Sequence, residues 1–150
     1  PTTEYDWRDP ANRNLYVQSL VEEIVPFIEK NYRTVAKKSH RAIAGLSMGG
    51  GHTIAASGMY PDVFDYLCPL SMGAERTPEL DPQLRGIKKA GYKLYWLACG
   101  NTDFLYENAN SLDAALTANG LEHTYFVSEG GHTWANWRYY LNTFAPLLFK

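Results

Sequence analysis

The apolar positions of the chain follow two different periods along its length. From Leu15 to Ile28 they recur at three- and four-residue steps, which predicts one face of an amphipathic helix ending near Tyr32. Pro26 lies inside this helix and predicts a kink, because proline lacks the N–H that the helix interior uses. The preceding stretch, residues 1–12, is polar and rich in turn-forming residues, so we expect a loop or arm there.

Short apolar runs take over from the helical period after this first helix. Four of them predict β-strands, at residues 41–46, 66–72, 92–99 and 122–127. Between and after them, three stretches have helical composition: a small-residue segment that stops at Tyr60-Pro61, residues 109–118, and residues 134–149. Strands that alternate with helices predict an α/β fold, with a parallel sheet of about four strands flanked by helices.

The net charge and the length of the apolar runs exclude some classes of binding partner. Fourteen Lys and Arg against sixteen Asp and Glu give a net charge of −2, and no run of like charge occurs. Nucleic acids and anionic membrane surfaces are therefore not expected partners, since both are bound through concentrated positive charge. No apolar run approaches the roughly 20 residues of a membrane-spanning helix.

The cysteines and histidines show no metal-ligand spacing. Cys68 and Cys99 match no C-x-x-C pattern and are too few for a disulfide framework, so we expect two buried free thiols. No two histidines have the i, i+4 spacing of a helical metal site. We therefore predict no metal and no cofactor.

A serine motif follows the first predicted strand. Residues 45–49 read Gly-Leu-Ser-Met-Gly, which matches the G-x-S-x-G turn that lifts a serine hydroxyl to the end of a strand. The glycines allow strand and helix to pass closely around a strained nucleophile. The apolar run before the motif and the small-residue helix after it are the expected context, so Ser47 is the predicted nucleophile. The alternative is that Ser47 only caps the following helix.

Serine is a weak nucleophile near pH 7 unless a base takes its proton and a carboxylate orients that base. After this motif, the acid and then the histidine are expected at the ends of later strands. Asp103 follows the third predicted strand and His132 follows the fourth, in a glycine-flanked loop. Asp103 and His132 are therefore the predicted acid and base.

Other residues could act as the acid or the base. Glu75 follows the second predicted strand and is an alternative acid, whereas Glu129 is too near His132 in sequence to orient it. The remaining histidines are more readily explained as structural residues: His40, His52 and His123.

The reaction also needs donors for the oxyanion that forms on the substrate. One is expected to be the backbone N–H of Met48, directly after the nucleophile. The second donor normally comes from a loop after an earlier strand. No predicted strand precedes His40, so the sequence offers no candidate for it.

Taken together, the chain resembles the esterase group of α/β-hydrolases, most closely the feruloyl and acetylxylan esterases of carbohydrate esterase family 1. The matching stretches are residues 21–32, residues 42–50, Cys99-Gly100 with Asp103, and residues 130–134 with Trp137-Arg138. The resemblance implies a serine carboxylic ester hydrolase that releases ferulate or acetate from xylan, with Ser47, Asp103 and His132 as the triad and Met48 as an oxyanion donor.

The resemblance also bears on location and on competing functions. It implies a small-molecule or polysaccharide ester as substrate and a secreted or periplasmic protein. A thioesterase or acyltransferase of the same fold is the nearest rival, because the triad chemistry is shared. A catalytically silent fragment or a carbohydrate-binding module is the rival from another class.

Aromatic residues near the predicted base suit such a substrate. Trp134 and Trp137 could shape a pocket wall, since an aromatic face fits both a phenolic acyl group and a sugar ring. The alternative is that both anchor the last helix in the core. Tyr92, Tyr95 and Trp96 are expected to be packing residues on or near a strand.

The length departs from the family pattern. Domains of this family begin with several strands before the helix that opens here, so residues 1–150 are expected to be a single, truncated esterase domain, its C-terminal half. The strand before Ser47 would then have an unpaired edge, which predicts association with another chain.

Overall fold

The computed structural model describes Asn12 and residues 14–150. The predicted N-terminal arm lies outside these residues except for Asn12. The chain divides into two compact units, residues 1–36 and residues 37–150, and each is described by itself.

The first unit contains an interrupted helix. Helix α1 (Leu15–Ser19) continues through a π-helical turn (Leu20–Ile24) into α2 (Val25–Asn31). The sequence predicts a kink at Pro26, and the irregularity falls just before it, where the Val25 N–H donates to the carbonyl of Leu20, five residues back. Pro26 directly follows this turn, so its missing N–H falls where the regular hydrogen-bond pattern of the helix is already interrupted.

The second unit is built on a four-stranded sheet. Its strands are β1 (Ala42–Leu46), β2 (Tyr66–Leu70), β3 (Leu94–Gly100) and β4 (Thr124–Ser128). They lie in the order β1-β2-β3-β4, and every neighbouring pair is parallel. The predicted α/β fold with a parallel sheet of about four strands is therefore confirmed.

Helices connect and cover these strands. The connections are α3 (Met48–Met59), α4 (Leu80–Ala90) and α5 (Tyr106–Ala118), and α6 (Trp134–Phe144) follows β4. Short 3₁₀ turns occupy Lys38–His40 and Ala145–Leu147. The predicted last helix, 134–149, is too long because Pro146 cannot supply an N–H to continue the α-helix.

Helix α4 is absent from the sequence-based expectations. Its signal is a short apolar stripe, Leu80, Leu84 and Ile87, at i, i+4 and i+7, and all three side chains are buried. The stripe lies in an otherwise polar stretch with a proline and a glycine, which conceals it. None of the described helices is long and apolar enough to cross a lipid bilayer.

The core beside the site lies between the sheet and α6. Trp96 of β3 is 2% exposed and contacts rings from β4 and α6, including Phe126 at 5.6 Å between centroids. Truncating such a buried tryptophan to alanine typically costs about 3–5 kcal/mol. Residues from both layers complete this cluster: Cys68, Leu70, Ala98, Trp137, Tyr140 and Phe144. This packing fixes α6, and therefore the loop before it, against the ends of the strands.

Because all four strands are parallel, their carboxyl ends meet at one edge of the sheet. Ser47 follows β1, Ser71 follows β2, Asp103 follows β3 by three residues, and His132 follows β4 by four. Strand β1 is the first strand of the sheet within the described residues, pairing with β2 alone. Association through this edge stays a prediction.

Candidate active site

Ser47 lies in a strained turn between β1 and α3. Its φ is 53° and its ψ is −123°, a conformation that L-residues rarely adopt and that occurs where a nucleophile is raised above a strand. The Ser47 N–H donates to the carbonyl of Leu70 at 3.0 Å, which ties the turn to the end of β2. The Ser47 side chain makes no capping hydrogen bond with α3, so its hydroxyl points elsewhere.

The glycines around Ser47 differ in how much space a side chain would have. A Cβ at Gly45 would overlap the backbone carbonyl of Gly49, so strand and helix approach as closely as the motif implies. A Cβ at Gly50, outside the motif, would lie 2.7 Å from the Cβ of Met72. A Cβ at Gly49 would meet nothing within 4 Å. The close approach therefore depends on Gly45 and Gly50.

His132 connects Ser47 to Asp103. Its Nε2 lies 2.9 Å from the Ser47 Oγ, and its Nδ1 lies 3.0 Å from each carboxylate oxygen of Asp103. An ionised carboxylate only accepts hydrogen bonds, so Nδ1 carries the ring proton of the neutral imidazole. Nε2 is then left unprotonated, and it can accept the hydrogen bond of the serine hydroxyl.

Asp103 is buried, with no part of its side chain exposed to solvent. Its Oδ1 also accepts the N–H of Leu105 at 3.0 Å, so the backbone that leads into α5 holds the carboxylate in place. A carboxylate with fixed hydrogen-bond donors orients a histidine better than one that is free to rotate in water.

Several contacts hold His132 and its loop. The side-chain amide of Asn136 donates to the carbonyls of Glu129 and Gly131, at 3.1 and 2.9 Å. The imidazole contacts two aromatic rings, Phe104 at 4.5 Å and Trp137 at 4.9 Å between centroids. Phe104 is 75% exposed, whereas Trp137 is 9% exposed, so only one of the two rings faces solvent.

The alternative acids and bases lie elsewhere. Glu75 and Glu129 are exposed, and the contact seen at Glu129 is through its backbone carbonyl. His40 is exposed beside Ser39, and His52 is half-buried on α3. The His123 Nε2 lies within hydrogen-bond distance of the Asp113 Oδ1, at 2.8 Å.

Met48 is the first residue of α3, and its side chain is exposed. The first N–H groups of a helix have no acceptor within the helix, so this one can serve a substrate oxygen. Among the described residues before β1, the regular elements are helical, and no strand and loop supply a second donor.

The structure separates the two tryptophans that the sequence treats alike. Trp137 is buried in the core cluster, and its indole N–H donates to the Ser71 Oγ at 2.9 Å. Trp134 is exposed and packs edge-on against Trp137 at 5.2 Å. Tyr95 and Trp96 are buried in β3, while Tyr92 is half-buried and donates to the carbonyl of Glu122.

Sequence reasoning missed three residues of this site: Ser71, Phe104 and Asn136. The predicted second strand ran to residue 72, which hid the turn at Ser71, where φ is 45°. Phe104 had a visible signal, an apolar residue directly after the predicted acid. Asn136 acts through backbone carbonyls, which leave no trace in a sequence.

Neither a reactive cysteine nor a cluster of metal-ligating side chains is found among the described residues. Cys68 and Cys99 are both buried and unpaired, as predicted, and burial raises the pKa of each thiol to about 12. Both thiols therefore stay protonated near neutral pH. Over the described residues, no group of three or more His, Cys, Asp and Glu side chains could hold a metal ion.

Similarity to known proteins places this geometry in a family. The model of the esterase family described as "putative esterase" matches residues 4–85. An endo-1,4-beta-xylanase/feruloyl esterase of Xylanibacter ruminicola is 37% identical over 133 residues, which are 87% of this chain and 17% of that protein. An acetyl esterase of Caldicellulosiruptor saccharolyticus is 31% identical over 99 residues, which are 66% of this chain and 37% of that protein.

The fold agrees with the sequence similarity. A solved ferulic acid esterase superposes with a TM-score of 0.73 at 26% identity, covering 88% of this chain and 59% of that one. The chain thus spans well under half of the two curated relatives and about three fifths of the solved structure. Its sheet and helices form part of an α/β-hydrolase fold. The family match covers more than half of its residues, and the chain therefore belongs to this esterase family.

Proposed function

We propose that this chain carries the catalytic centre of a serine carboxylic ester hydrolase. The observation that carries the proposal is the position of His132, hydrogen-bonded to the Ser47 Oγ at 2.9 Å and to both oxygens of Asp103 at 3.0 Å. A hydroxyl, an imidazole and a carboxylate in this order have the connectivity of a catalytic triad. Membership of an esterase family supports the same assignment.

The geometry suggests a sequence of steps. His132 Nε2 takes the proton of Ser47 as the serine Oγ attacks the ester carbonyl carbon, and the Met48 N–H stabilises the oxyanion. His132 then returns that proton to the leaving alcohol oxygen, so the C–O bond breaks and an acyl-serine remains. Water attacks this acyl group with His132 again as the base, releasing the carboxylic acid and restoring Ser47. Asp103 keeps the ring oriented and stabilises its charged form.

For the substrate, we propose ferulate or acetate esters of plant cell-wall xylan. Support comes from the names of the relatives, one an endo-1,4-beta-xylanase/feruloyl esterase and the other an acetyl esterase. It also comes from two exposed aromatic rings: Phe104, whose ring lies 4.5 Å from that of His132, and Trp134, which packs against Trp137. Aromatic faces bind both phenolic and sugar rings. A polymeric cell-wall substrate implies that the protein works outside the cytoplasm, secreted or periplasmic.

The test compares the chain with Ser47→Ala on methyl ferulate and on p-nitrophenyl acetate. Ester turnover by the parent chain, and its loss in Ser47→Ala, is the expected result. The matched control is Ser39→Ala, because the Ser39 Oγ also lies 3.0 Å from a histidine nitrogen, that of exposed His40. Turnover that survives Ser47→Ala contradicts the assignment. Turnover of a thioester in preference to both esters would instead favour the thioesterase alternative.

A fluorophosphonate probe gives a second readout, because it phosphonylates an activated serine without a matched acyl group. Mass spectrometry of the labelled chain should find the adduct on the peptide that contains Ser47 and not on the one that contains Ser39. An unlabelled chain that also turns over no ester would favour a catalytically silent fragment or binding module.

A further inference from the structure

The carboxyl end of β2 contacts the strands that lead to Ser47 and Asp103 and the helix that follows His132. The carbonyl of Leu70 accepts the N–H of Ser47 at 3.0 Å. The next residue, Ser71, donates its N–H to the carbonyl of Ala98 in β3 at 2.7 Å, and β3 leads to Asp103. The Ser71 Oγ accepts the indole N–H of Trp137 at 2.9 Å. Two consecutive residues therefore connect to β1, β3 and α6.

Ser71 combines burial, a strained backbone and a hydrogen bond to the indole of Trp137. It is fully buried, and its φ of 45° lies in the left-handed region, which costs free energy for a residue other than glycine. A buried indole N–H without an acceptor is also costly, and the Ser71 hydroxyl meets that need. The strained backbone thus presents an acceptor to Trp137.

Trp137 in turn limits how the His132 ring can move. The two rings are perpendicular, with centroids 4.9 Å apart. Phe104 also contacts the imidazole but is 75% exposed, whereas Trp137 is buried and hydrogen-bonded. Trp137 is therefore the fixed contact against which His132 is set.

We propose that Ser71 is a positioning residue for the general base: its hydroxyl fixes Trp137, and Trp137 holds the His132 ring in line with Ser47 and Asp103. The inference rests on the proposed role of His132. It assigns to β2, whose end supplies no member of the triad, a part in the alignment of the other three residues.

The test uses two replacements that remove the hydroxyl in different ways. Ser71→Ala keeps the left-handed strain, whereas Ser71→Gly relieves it. If the hydroxyl matters, both variants should lower kcat on p-nitrophenyl acetate about tenfold with little change in KM, as expected for a misplaced catalytic group. The matched control is Ser57→Ala, a buried serine whose hydroxyl bonds to the Ile54 carbonyl on α3. A parental kcat in Ser71→Gly would overturn the proposal.

A double-mutant cycle with Trp137→Phe asks whether Ser71 acts through the indole. Once the indole N–H is gone, adding Ser71→Ala should cause no further loss, whereas independent effects would multiply and contradict the proposal.

NMR of the His132 ring separates this inference from the proposed function, because it needs no turnover. In nitrogen-15-labelled chain, Ser71→Ala and Ser71→Gly should shift or broaden the His132 Nδ1–H signal, whereas Ser57→Ala should not. A chain without esterase activity whose His132 signal responds in this way would refute the function and keep the positioning role. An unchanged signal in both Ser71 variants would refute the positioning role, whether or not esters are cleaved.

Discussion

The Nδ1 of His132 lies 3.0 Å from both carboxylate oxygens of Asp103, so the ring proton is shared between two acceptors. The carboxylate is fully buried and is held by the N–H of Leu105. Only an acceptor at this position selects the ring form in which Nε2 is free to take the proton of Ser47. The relationship thus predicts the effect of replacing the carboxylate by an amide.

Asp103→Asn should keep the fold and abolish most of the activity. The asparagine amide can donate to Nδ1, which moves the ring proton to Nε2 and leaves the base unable to accept from Ser47. A loss of about 10⁴-fold in kcat on p-nitrophenyl acetate is expected, the size known for this change in a serine protease triad. Thermal unfolding followed by circular dichroism checks that the fold persists.

A second carboxylate–histidine pair provides the control for that experiment. Asp113 lies 2.8 Å from His123 Nε2, and the pair connects α5 to the residue before β4. Asp113→Asn makes the same chemical change without touching Ser47, so its kcat should match that of the parent. Equal losses in the two variants would mean that the effect comes from general destabilisation.

Phe104→Ala should alter substrate binding more than stability. The ring is 75% exposed, so its removal should change the free energy of unfolding by less than about 0.5 kcal/mol. Its centroid also lies 4.5 Å from that of the His132 ring. We expect KM for methyl ferulate to rise severalfold, and KM for p-nitrophenyl acetate to rise less, in steady-state assays.

Phe149→Ala is the matched control for Phe104. Phe149 is also exposed, but its ring packs against Tyr66 at the start of β2, the opposite end of the sheet from Ser47. It should leave both KM values unchanged. If Phe104→Ala also leaves KM unchanged for both esters, the exposed ring takes no part in recognition.

The sequence predicts the ends of the strands better than the contacts between them. Glycine-rich turns at strand ends lead to the prediction of Ser47 and His132, because such turns need small residues in fixed positions, and Asp103 is predicted from its position after the third strand. Helix α4 was missed because its apolar stripe consists of only three side chains in a polar stretch. The partners of Trp137 could not be predicted, since the indole meets Ser71 across a separation of 66 residues.

Gly45→Ala should destabilise the protein severely, whereas Gly49→Ala should not. A Cβ at Gly45 overlaps the backbone of Gly49, which cannot move without displacing α3, and overpacking typically costs about 1–3 kcal/mol or more. A Cβ at Gly49 meets open space within a helix, where alanine gains about 0.5–1 kcal/mol over glycine. Melting temperatures should therefore move in opposite directions. A similar fall in both variants would contradict the close approach at Gly45.

The buried thiols predict a loss of stability in alkaline solution. Burial raises the pKa of Cys68 and Cys99 from an ordinary 9.0 to about 12, so above pH 9 the unfolded chain loses protons that the folded chain keeps. The free energy of unfolding is thus unaffected by these groups below pH 9 and falls above it, by up to about 1.4 kcal/mol per pH unit for each thiol. Urea unfolding at several pH values between 8 and 10.5 measures this slope. Cys68→Ala and Cys99→Ala should each make it shallower by one thiol's share, and an unchanged slope in both variants would show that the thiols do not cause the loss.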